Sequence, residues 1–236
     1  MQKDTPDFKM AVQKANEILL CARSITTFPF SIESVIEEMS DIDLMPFSAI
    51  EEAGLYARKI VGSDDAAILE LEGQHMIFYN DKAPPLRQKF SKSHEFGHYY
   101  CGHDIARVTE MRKAGDSRFE ALYAKYEVEA NFFSAQLFMC KEIIIELAKR
   151  GQTIDEAFLA KTFGVSYEAA EKRMKTVRKV YNWNERRRAR NDGASLGDFV
   201  VTKFEAFIHS VAPMKQSYTD SFEREYEMEL ERQGWQ

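Results

Sequence analysis

The sequence predicts an α+β protein, because a short stretch with strand-like patterning lies between segments with helical spacing. Residues 66–72 and 75–80 are apolar-rich runs joined at Gly73-Gln74, which is typical of a β-hairpin. On both sides of this hairpin, apolar residues recur at the three- and four-residue intervals of amphipathic helices. With 236 residues, the chain is long enough to form one or two domains with a sizeable core.

The helices are predicted in order from their spacing and end signals. The first covers 8–22, and Ser31 is a good N-cap for the second. Pro84-Pro85 ends the extended run and opens a helix over roughly 86–102, where Gly102 is placed to end it. The following helices are expected over 118–149 and as a pair around Gly164.

Three parts are expected along the chain. Residues 1–150 would form the core domain, 151–181 a helix-turn-helix-like helical subdomain, and 182–236 a C-terminal extension. Within the extension, the best linker candidate is 182–193, followed by an apolar stretch over 196–211 and an acidic tail over 219–233.

Composition limits the classes of function. A net charge of -6 is unlike that of a general electrostatic nucleic-acid binder, and the 17 Phe and 10 Tyr exclude a wholly disordered chain. The three widely spaced cysteines argue against a disulfide framework and fit a reducing compartment. Without a secretory h-region or an apolar run of membrane-spanning length, we expect a cytoplasmic protein without a membrane partner.

The segment His94-Glu95-Phe96-Gly97-His98 carries the strongest chemical signal. On a helix, His94 and His98 project from one face, so both imidazoles can bind one metal ion. Glu95 can then reach a metal-activated water as the general base without being a ligand. Gly97 has no side chain, which would let another element approach closely at the metal.

A third protein ligand is expected from the next long helix, where Glu127 and Glu129 compete. They point about 160° apart around the helix, so only one of them can face the metal. An apolar stripe beside Glu127 favours it, and the other glutamate is expected to be solvated. Asn131, four residues after Glu127, could orient a ligand histidine. The stripe consists of Ala130, Phe133 and Leu137.

Other residues near this motif have weaker assignments. His103 follows His98 by five residues rather than the six of a metzincin, so it is a candidate proton donor or transition-state stabiliser and not a ligand. Tyr126 is a candidate for the same catalytic role, as are Tyr99 and Tyr100. Cys101 is expected to pack, and we assign no role to His75 and His209.

Two surfaces are candidates for binding. The hairpin strand over 75–80 could receive substrate as an added strand, through Met76, Ile77 and Phe78. The turn over 163–166 resembles a helix-turn-helix, and the run after it is basic, so DNA binding stays open beside a purely solvated face or an acidic partner. The run contains Lys172, Arg173, Lys175, Arg178, Lys179, Arg186, Arg187, Arg188 and Arg190.

Three motifs in order resemble the ImmA/IrrE family of metallopeptidases. Residues 87–103 (RQKFSKSHEFGHYYCGH) resemble its R-x-x-F-(S/T)-x-A-H-E-x-G-H-x-x-x-G-H pattern. Residues 127–139 (EVEANFFSAQLFM) resemble E-x-x-A-N-x-F-A-x-x-L-L-M-P up to its final proline, and 159–174 (LAKTFGVSYEAAEKRM) resemble L-A-x-x-F-x-V-S-x-x-A-A-x-x-R-L. Ser93, Ser134 and Cys140 depart from the usual residues, and none of them is a proposed ligand.

The resemblance implies a zincin-like core with zinc as cofactor, and it implies Glu127 rather than Glu129 as the third ligand. Mn²⁺ is chemically tolerable at two imidazoles and one carboxylate. The implied activity is that of a zinc endopeptidase that cleaves a regulatory protein, a helix-turn-helix repressor. The alternative is a non-catalytic regulatory or toxin–antitoxin-type interaction protein, whose metal site would be closed by a fourth ligand such as Cys101 or His103.

Overall fold

A computed structural model describes residues 5–114, 120–188 and 195–212. The described residues form helices around one small sheet, which confirms the α+β prediction. The strands are β1 (Asp43–Pro46), β2 (Ala66–Leu71) and β3 (Gln74–Tyr79). The helices are α1 (Phe8–Cys21), α2 (Ile32–Met39), α3 (Phe47–Glu52), α4 (Ala57–Val61), α5 (Pro85–Tyr100), α6 (Ile105–Ala114), α7 (Glu120–Phe138), α8 (Lys141–Lys149), α9 (Glu156–Phe163), α10 (Tyr167–Arg188), α11 (Leu196–Lys203) and α12 (Glu205–Val211).

The sheet has the order β1-β3-β2, so β3 is its central strand. β2 and β3 form the expected antiparallel hairpin, with Ile68 opposite Ile77. The turn lies at Glu72-Gly73, one residue earlier than expected, and both residues have positive φ (52° and 84°), as in a type I′ turn. β1 pairs in parallel with β3, which the sequence analysis did not predict for so short a strand.

The two faces of the sheet bury different sets of residues, because successive side chains of a strand point to opposite sides. Ile68 and Ile77 belong to the main core, which the larger helices build. Phe78 lies on the other face, in a smaller cluster with residues of α3 and α4. The hairpin is thus covered on both faces. The other members of the smaller cluster are Phe47, Ala57, Val61, Ala67 and Leu69.

The single helix expected over 118–149 is wrong, because the chain breaks at Met139-Cys140 to give α7 and α8. No glycine or proline marks this break in the sequence. Instead, Arg173 of α10 donates through Nε to the carbonyl of Met139 at 2.8 Å. This side chain is only 3% exposed and satisfies a backbone group that the break leaves free.

Residues from all three expected parts of the chain share the main hydrophobic cluster. α10 continues to Arg188 through the first half of the expected linker, and α11 packs on α1 and α8. Lys203 of α11 donates to the carbonyls of Leu19 and Ala22 at the end of α1, each at 2.7 Å. The acidic tail lies outside the described residues, and the division into domains stays a prediction.

None of the helices in the described ranges combines the length and the apolar character that a membrane span requires.

Candidate metal centre

The centre lies where α5 crosses α7, and a glycine permits the close approach. A Cβ atom on Gly97 would lie 2.9 Å from Cδ1 of Phe133 and 3.3 Å from the carbonyl oxygen of Ala130. Any larger residue would therefore force the Phe133 ring or the backbone of α7 to shift. His94 and His98, on either side of Gly97 in the chain, then face Glu127 of α7.

Three ligand atoms converge in this crossing. Nε2 of His94 lies 3.2 Å from Oε2 of Glu127, and Nε2 of His98 lies 3.3 Å from Oε1 of the same carboxylate. The two Nε2 atoms are 3.1 Å apart. Each of the three residues offers one ligand atom within 4.8 Å of the others, which makes them a group that could hold a metal ion.

The hydrogen bonds on the far side of each imidazole set its tautomer. Oδ1 of Asn131 lies 3.2 Å from Nδ1 of His94, and because the amide oxygen can only accept, that Nδ1 carries the proton. On His98, Nδ1 lies 3.0 Å from Nδ1 of His103. Both Nε2 atoms then face Glu127, whose buried Oε1 makes no hydrogen bond. This donor set fits a divalent cation, since two imidazoles and a carboxylate are typical catalytic zinc ligands.

The charges of the group also suit a cation. Burial would raise the pKa of Glu127, but the flanking His94 and His98 hold it well below its ordinary value, so the carboxylate is ionised. Burial lowers the pKa of His98, which keeps it neutral as a ligand must be. The pKa of His94 is raised by Glu127 although burial opposes it, so a metal ion would displace a proton there.

Glu95 lies in a buried ion pair instead of being free. Its Oε2 accepts a hydrogen bond from the backbone N–H of Ile68 at 2.8 Å and lies 3.0 Å from Nη2 of Arg112. The Arg112 guanidinium, on α6, also hydrogen bonds the side chain of Tyr123. Tyr123 in turn contacts Glu127, so the ion pair and the metal group are connected.

Sequence reasoning missed both Arg112 and Tyr123. Tyr123 precedes Glu127 by four residues, and this i,i+4 spacing on one helix face was a signal that could have found it. Arg112 had no comparable signal, because α6 itself was not predicted.

Glu129 is a buried hydrogen-bond acceptor, so the expectation that the competing glutamate is solvated is wrong. The residue is 2% exposed, and its Oε2 lies 2.9 Å from Nε2 of His103. Its other oxygen accepts the backbone N–H of Asp7 at 2.6 Å. Glu127 and Glu129 point about 160° apart around α7. Because Glu127 faces the metal group, Glu129 faces His103 instead.

His103 lies behind the group rather than beside an open cleft. Its ring stacks on Tyr126, with centroids 4.2 Å apart and an interplanar angle of 14°. Burial, together with the neighbouring His98 and His94, lowers the pKa of His103 to about 3. The ring is thus neutral near pH 7, which disfavours the expected proton-donor role of His103. Its contact with Tyr126 is one of packing.

The remaining candidates near the motif lie outside the metal group. Tyr99 packs edge-on against His75, and Tyr100 packs on Phe96 and Phe133. Burial raises the pKa of Cys101 to about 12, so it is a thiol. Within the described ranges, the group offers no fourth protein ligand at this point.

The expectation that strand 75–80 receives substrate through Met76, Ile77 and Phe78 is wrong. Both edges of β3 are already paired, with β1 on one side and β2 on the other. An added strand could pair only with an edge strand, and the edge beside Glu95 is β2.

The helix-turn-helix-like pair is present as α9 and α10, with Gly164 between them, but the described part of the basic run offers few free cations. Arg173 is buried, while Lys172 and Lys175 lie 2.7 Å from Glu168 and Glu171. Side chains from residue 180 to 194 lie outside the described set. DNA binding therefore stays a prediction.

Comparison with known proteins gives a family match. The model Peptidase_M78, described as an IrrE N-terminal-like domain, matches residues 42–175, which is more than half of the 236-residue chain. The matched range includes the sheet, α5, α6 and α7, and thus all of the metal group. No curated protein matches the chain.

Proposed function

The chain belongs to the IrrE N-terminal-like family of metallopeptidases, and on that premise we propose that it is a zinc-dependent endopeptidase. His94, His98 and Glu127 would hold the zinc ion, with Mn²⁺ as a chemically acceptable substitute. The observation that carries the proposal is the convergence of these three ligand atoms, with the tautomer of each imidazole set by a separate hydrogen bond.

When bound, the metal lowers the pKa of a water molecule toward about 7 and polarises the scissile carbonyl. Glu95 accepts the proton of the attacking water and transfers it to the leaving amine. To do so, its carboxylate turns partly away from the Ile68 N–H, while Arg112 stays paired with it through their 3.0 Å contact.

Tyr123 is the best candidate for stabilising the charge that develops on the substrate oxygen. Its side chain contacts both Glu127 and Arg112, so it adjoins the metal group and the base at once. Hydrogen-bond donors held in advance beside a developing oxyanion can contribute several kcal/mol, on the order of 2.7–4. We assign this role to Tyr123 in place of His103 and Tyr126, which stack on each other behind His98.

The substrate backbone would bind along the outer edge of β2. In the antiparallel register, the N–H and C=O groups of Ala66, Ile68 and Glu70 point away from β3, because residues 65, 67 and 69 form the hydrogen-bonded pairs. The contact from Ile68 to Glu95 agrees with this direction. A peptide strand added here would lie next to the general base.

For the substrate class we propose a regulatory protein, specifically a helix-turn-helix repressor, as the resemblance to the ImmA/IrrE family implies. The test uses metal-loaded protein, its Glu95→Gln variant and a co-encoded repressor, with fragments identified by mass spectrometry. We expect the variant to bind Zn²⁺ but not to cleave. Undiminished cleavage by Glu95→Gln would overturn the mechanism.

One observation favours the alternative of a non-catalytic interaction protein that retains a zincin fold. The general base is occupied by Arg112 and the Ile68 N–H, which is also how a silent site would stabilise a buried glutamate. The same assay separates the two. A wild-type chain that binds the repressor without producing fragments supports the alternative.

A further inference from the structure

We propose that His103 and Glu129 act as a positioning pair that fixes the tautomer and the orientation of His98 for metal binding. This inference rests on the proposed function, because it concerns the same metal group. It gives a role to two buried polar residues that neither bind the metal nor face the substrate edge. The juxtaposition that carries it is a continuous chain of contacts from His98 through His103 to Glu129.

The carboxylate of Glu129, at one end of this series of contacts, determines which atom donates in each hydrogen bond. Glu129 Oε2 can only accept, so Nε2 of His103, at 2.9 Å, is the donor. In a neutral imidazole the other nitrogen is then an acceptor, and Nδ1 of His103 accepts from Nδ1 of His98 at 3.0 Å. His98 is left with its lone pair on Nε2, the atom that faces Glu127. One carboxylate therefore sets the tautomers of two rings in series.

The acceptor at the end of this chain is itself fixed. Oε1 of Glu129 accepts the backbone N–H of Asp7 and lies 3.9 Å from Nζ of Lys125. The His103 and Glu129 side chains are each 2% exposed, so water does not compete for their hydrogen bonds. The His103 ring is also held by its stack on Tyr126. A ligand histidine whose second nitrogen is anchored in this way binds metal more tightly.

His94 has a different and simpler partner, the amide of Asn131. The two ligand histidines are thus oriented independently, one by a side-chain amide and one by the buried His103–Glu129 pair. This separation allows the contribution of the pair to be measured without altering the anchor of His94.

Two substitutions of His103 distinguish positioning from packing. His103→Phe keeps an aromatic ring against Tyr126 but removes both nitrogens. His103→Gln loses the stack but keeps an acceptor and a donor that can join His98 to Glu129. The readout is the Zn²⁺ dissociation constant of each folded variant, obtained by competition with a chromogenic chelator, together with the visible absorption spectrum of the Co²⁺-loaded protein.

We expect His103→Phe to weaken Zn²⁺ binding by about 10- to 100-fold and to alter the Co²⁺ spectrum. His103→Gln should bind Zn²⁺ more tightly than His103→Phe. The matched control is His75→Phe, which replaces a histidine that also contacts a tyrosine but lies outside the metal group, and it should leave the dissociation constant unchanged. If His103→Phe does not fold, Glu129→Gln provides the same test, with a smaller loss in the same direction.

A dissociation constant for His103→Phe within twofold of wild type, or one tighter than that of His103→Gln, would overturn the positioning role. If His103→Phe does not fold and Glu129→Gln is measured instead, a Zn²⁺ dissociation constant equal to that of wild type would also overturn the positioning role. Because affinity and spectrum do not depend on proteolysis, failure of the repressor cleavage assay would leave this inference standing. A wild-type chain that does not bind Zn²⁺ would overturn both proposals.

Discussion

Nη2 of Arg112 lies 3.0 Å from Oε2 of Glu95, the carboxylate oxygen that also accepts the backbone N–H of Ile68. The two side chains are 9% and 5% exposed, so this is a buried ion pair between α6 and the metal-binding helix α5. It joins three elements, the edge strand β2, α5 and α6, at the position of the expected general base. The position of α6 and the state of Glu95 are therefore coupled.

Arg112→Met is expected to destabilise the fold by about 3–5 kcal/mol, because it leaves the buried carboxylate of Glu95 without its cation. The double variant Arg112→Met/Glu95→Gln should recover much of this loss, since the unpaired charge is gone. Urea unfolding of the two single variants, the double variant and the wild type measures the coupling. Strictly additive losses would contradict a direct interaction between the two residues.

Metal binding is expected to stabilise the folded chain. Zn²⁺ at 100 times its dissociation constant should raise the free energy of unfolding by about 2.7 kcal/mol, and excess chelator should reverse the gain. Thermal unfolding with and without Zn²⁺ measures the effect. His98→Ala should lose the response and Glu95→Gln should keep it, since only His98 belongs to the metal group. An equal response in His98→Ala would place the ion elsewhere.

Gly97→Ala is expected to destabilise the protein by about 1–3 kcal/mol, although alanine is the better helix former. The added methyl group would lie 2.9 Å from Cδ1 of Phe133 and 3.3 Å from the Ala130 carbonyl oxygen. Because α5 and α7 carry the ligands, Zn²⁺ affinity should fall as well. Ser91→Ala on the same helix is the control and should change neither quantity appreciably. A Gly97→Ala protein as stable as wild type would show that the crossing has spare room.

The free energy of unfolding is expected to depend on pH because of Lys89. Burial lowers the pKa of Lys89 to about 8, while Nζ lies over the Phe138 ring and 3.2 Å from the carbonyl oxygen of Gly164. The unfolded chain then holds this proton to higher pH than the folded chain, so the contribution of Lys89 to stability rises between about pH 8 and 10.5.

Lys89→Met should lack this rise. Urea unfolding at several pH values gives the stability difference between wild type and variant, and we expect it to shift in favour of wild type across that window. Below pH 8 the difference should be flat. A difference that stays constant from pH 7 to 10.5 would show that Lys89 titrates normally.

Local patterns in the sequence predicted much of the fold. The hairpin, α1, α2 and α5 each have a periodicity of their own, and α2 also has an end signal in Ser31, whose side chain accepts the Ser34 N–H. The break at Met139-Cys140 could not be predicted in this way. Its freed carbonyl is bound by Arg173, 34 residues further along the chain, and local spacing does not reveal such a contact. β1 is likewise too short to be recognised without its parallel partner β3.

In the candidate site too, local patterns predicted some features, and long-range contacts determined the others. The spacing of His94 and His98 on one helix, and of Glu127 and Asn131 on another, places each pair on one face, and the structure brings the four side chains together. The surroundings of Glu95 and Glu129 depend on long-range contacts to Arg112, Ile68 and Asp7, for which helical spacing holds no information. The expectation that β3 binds substrate was wrong for the same reason, since the order of strands is a property of the whole sheet.

Lys203 binds the carbonyls that end α1, and α1 packs along α7, the helix that carries Glu127. Residues 184 positions apart in the chain are therefore joined, and one of them lies on the helix that packs against α7. Local opening of α11 would uncover the apolar back of α1 and weaken its contact with α7. The amide protons of α11 should thus exchange with solvent as slowly as those of α5, as parts of one cooperative folding unit.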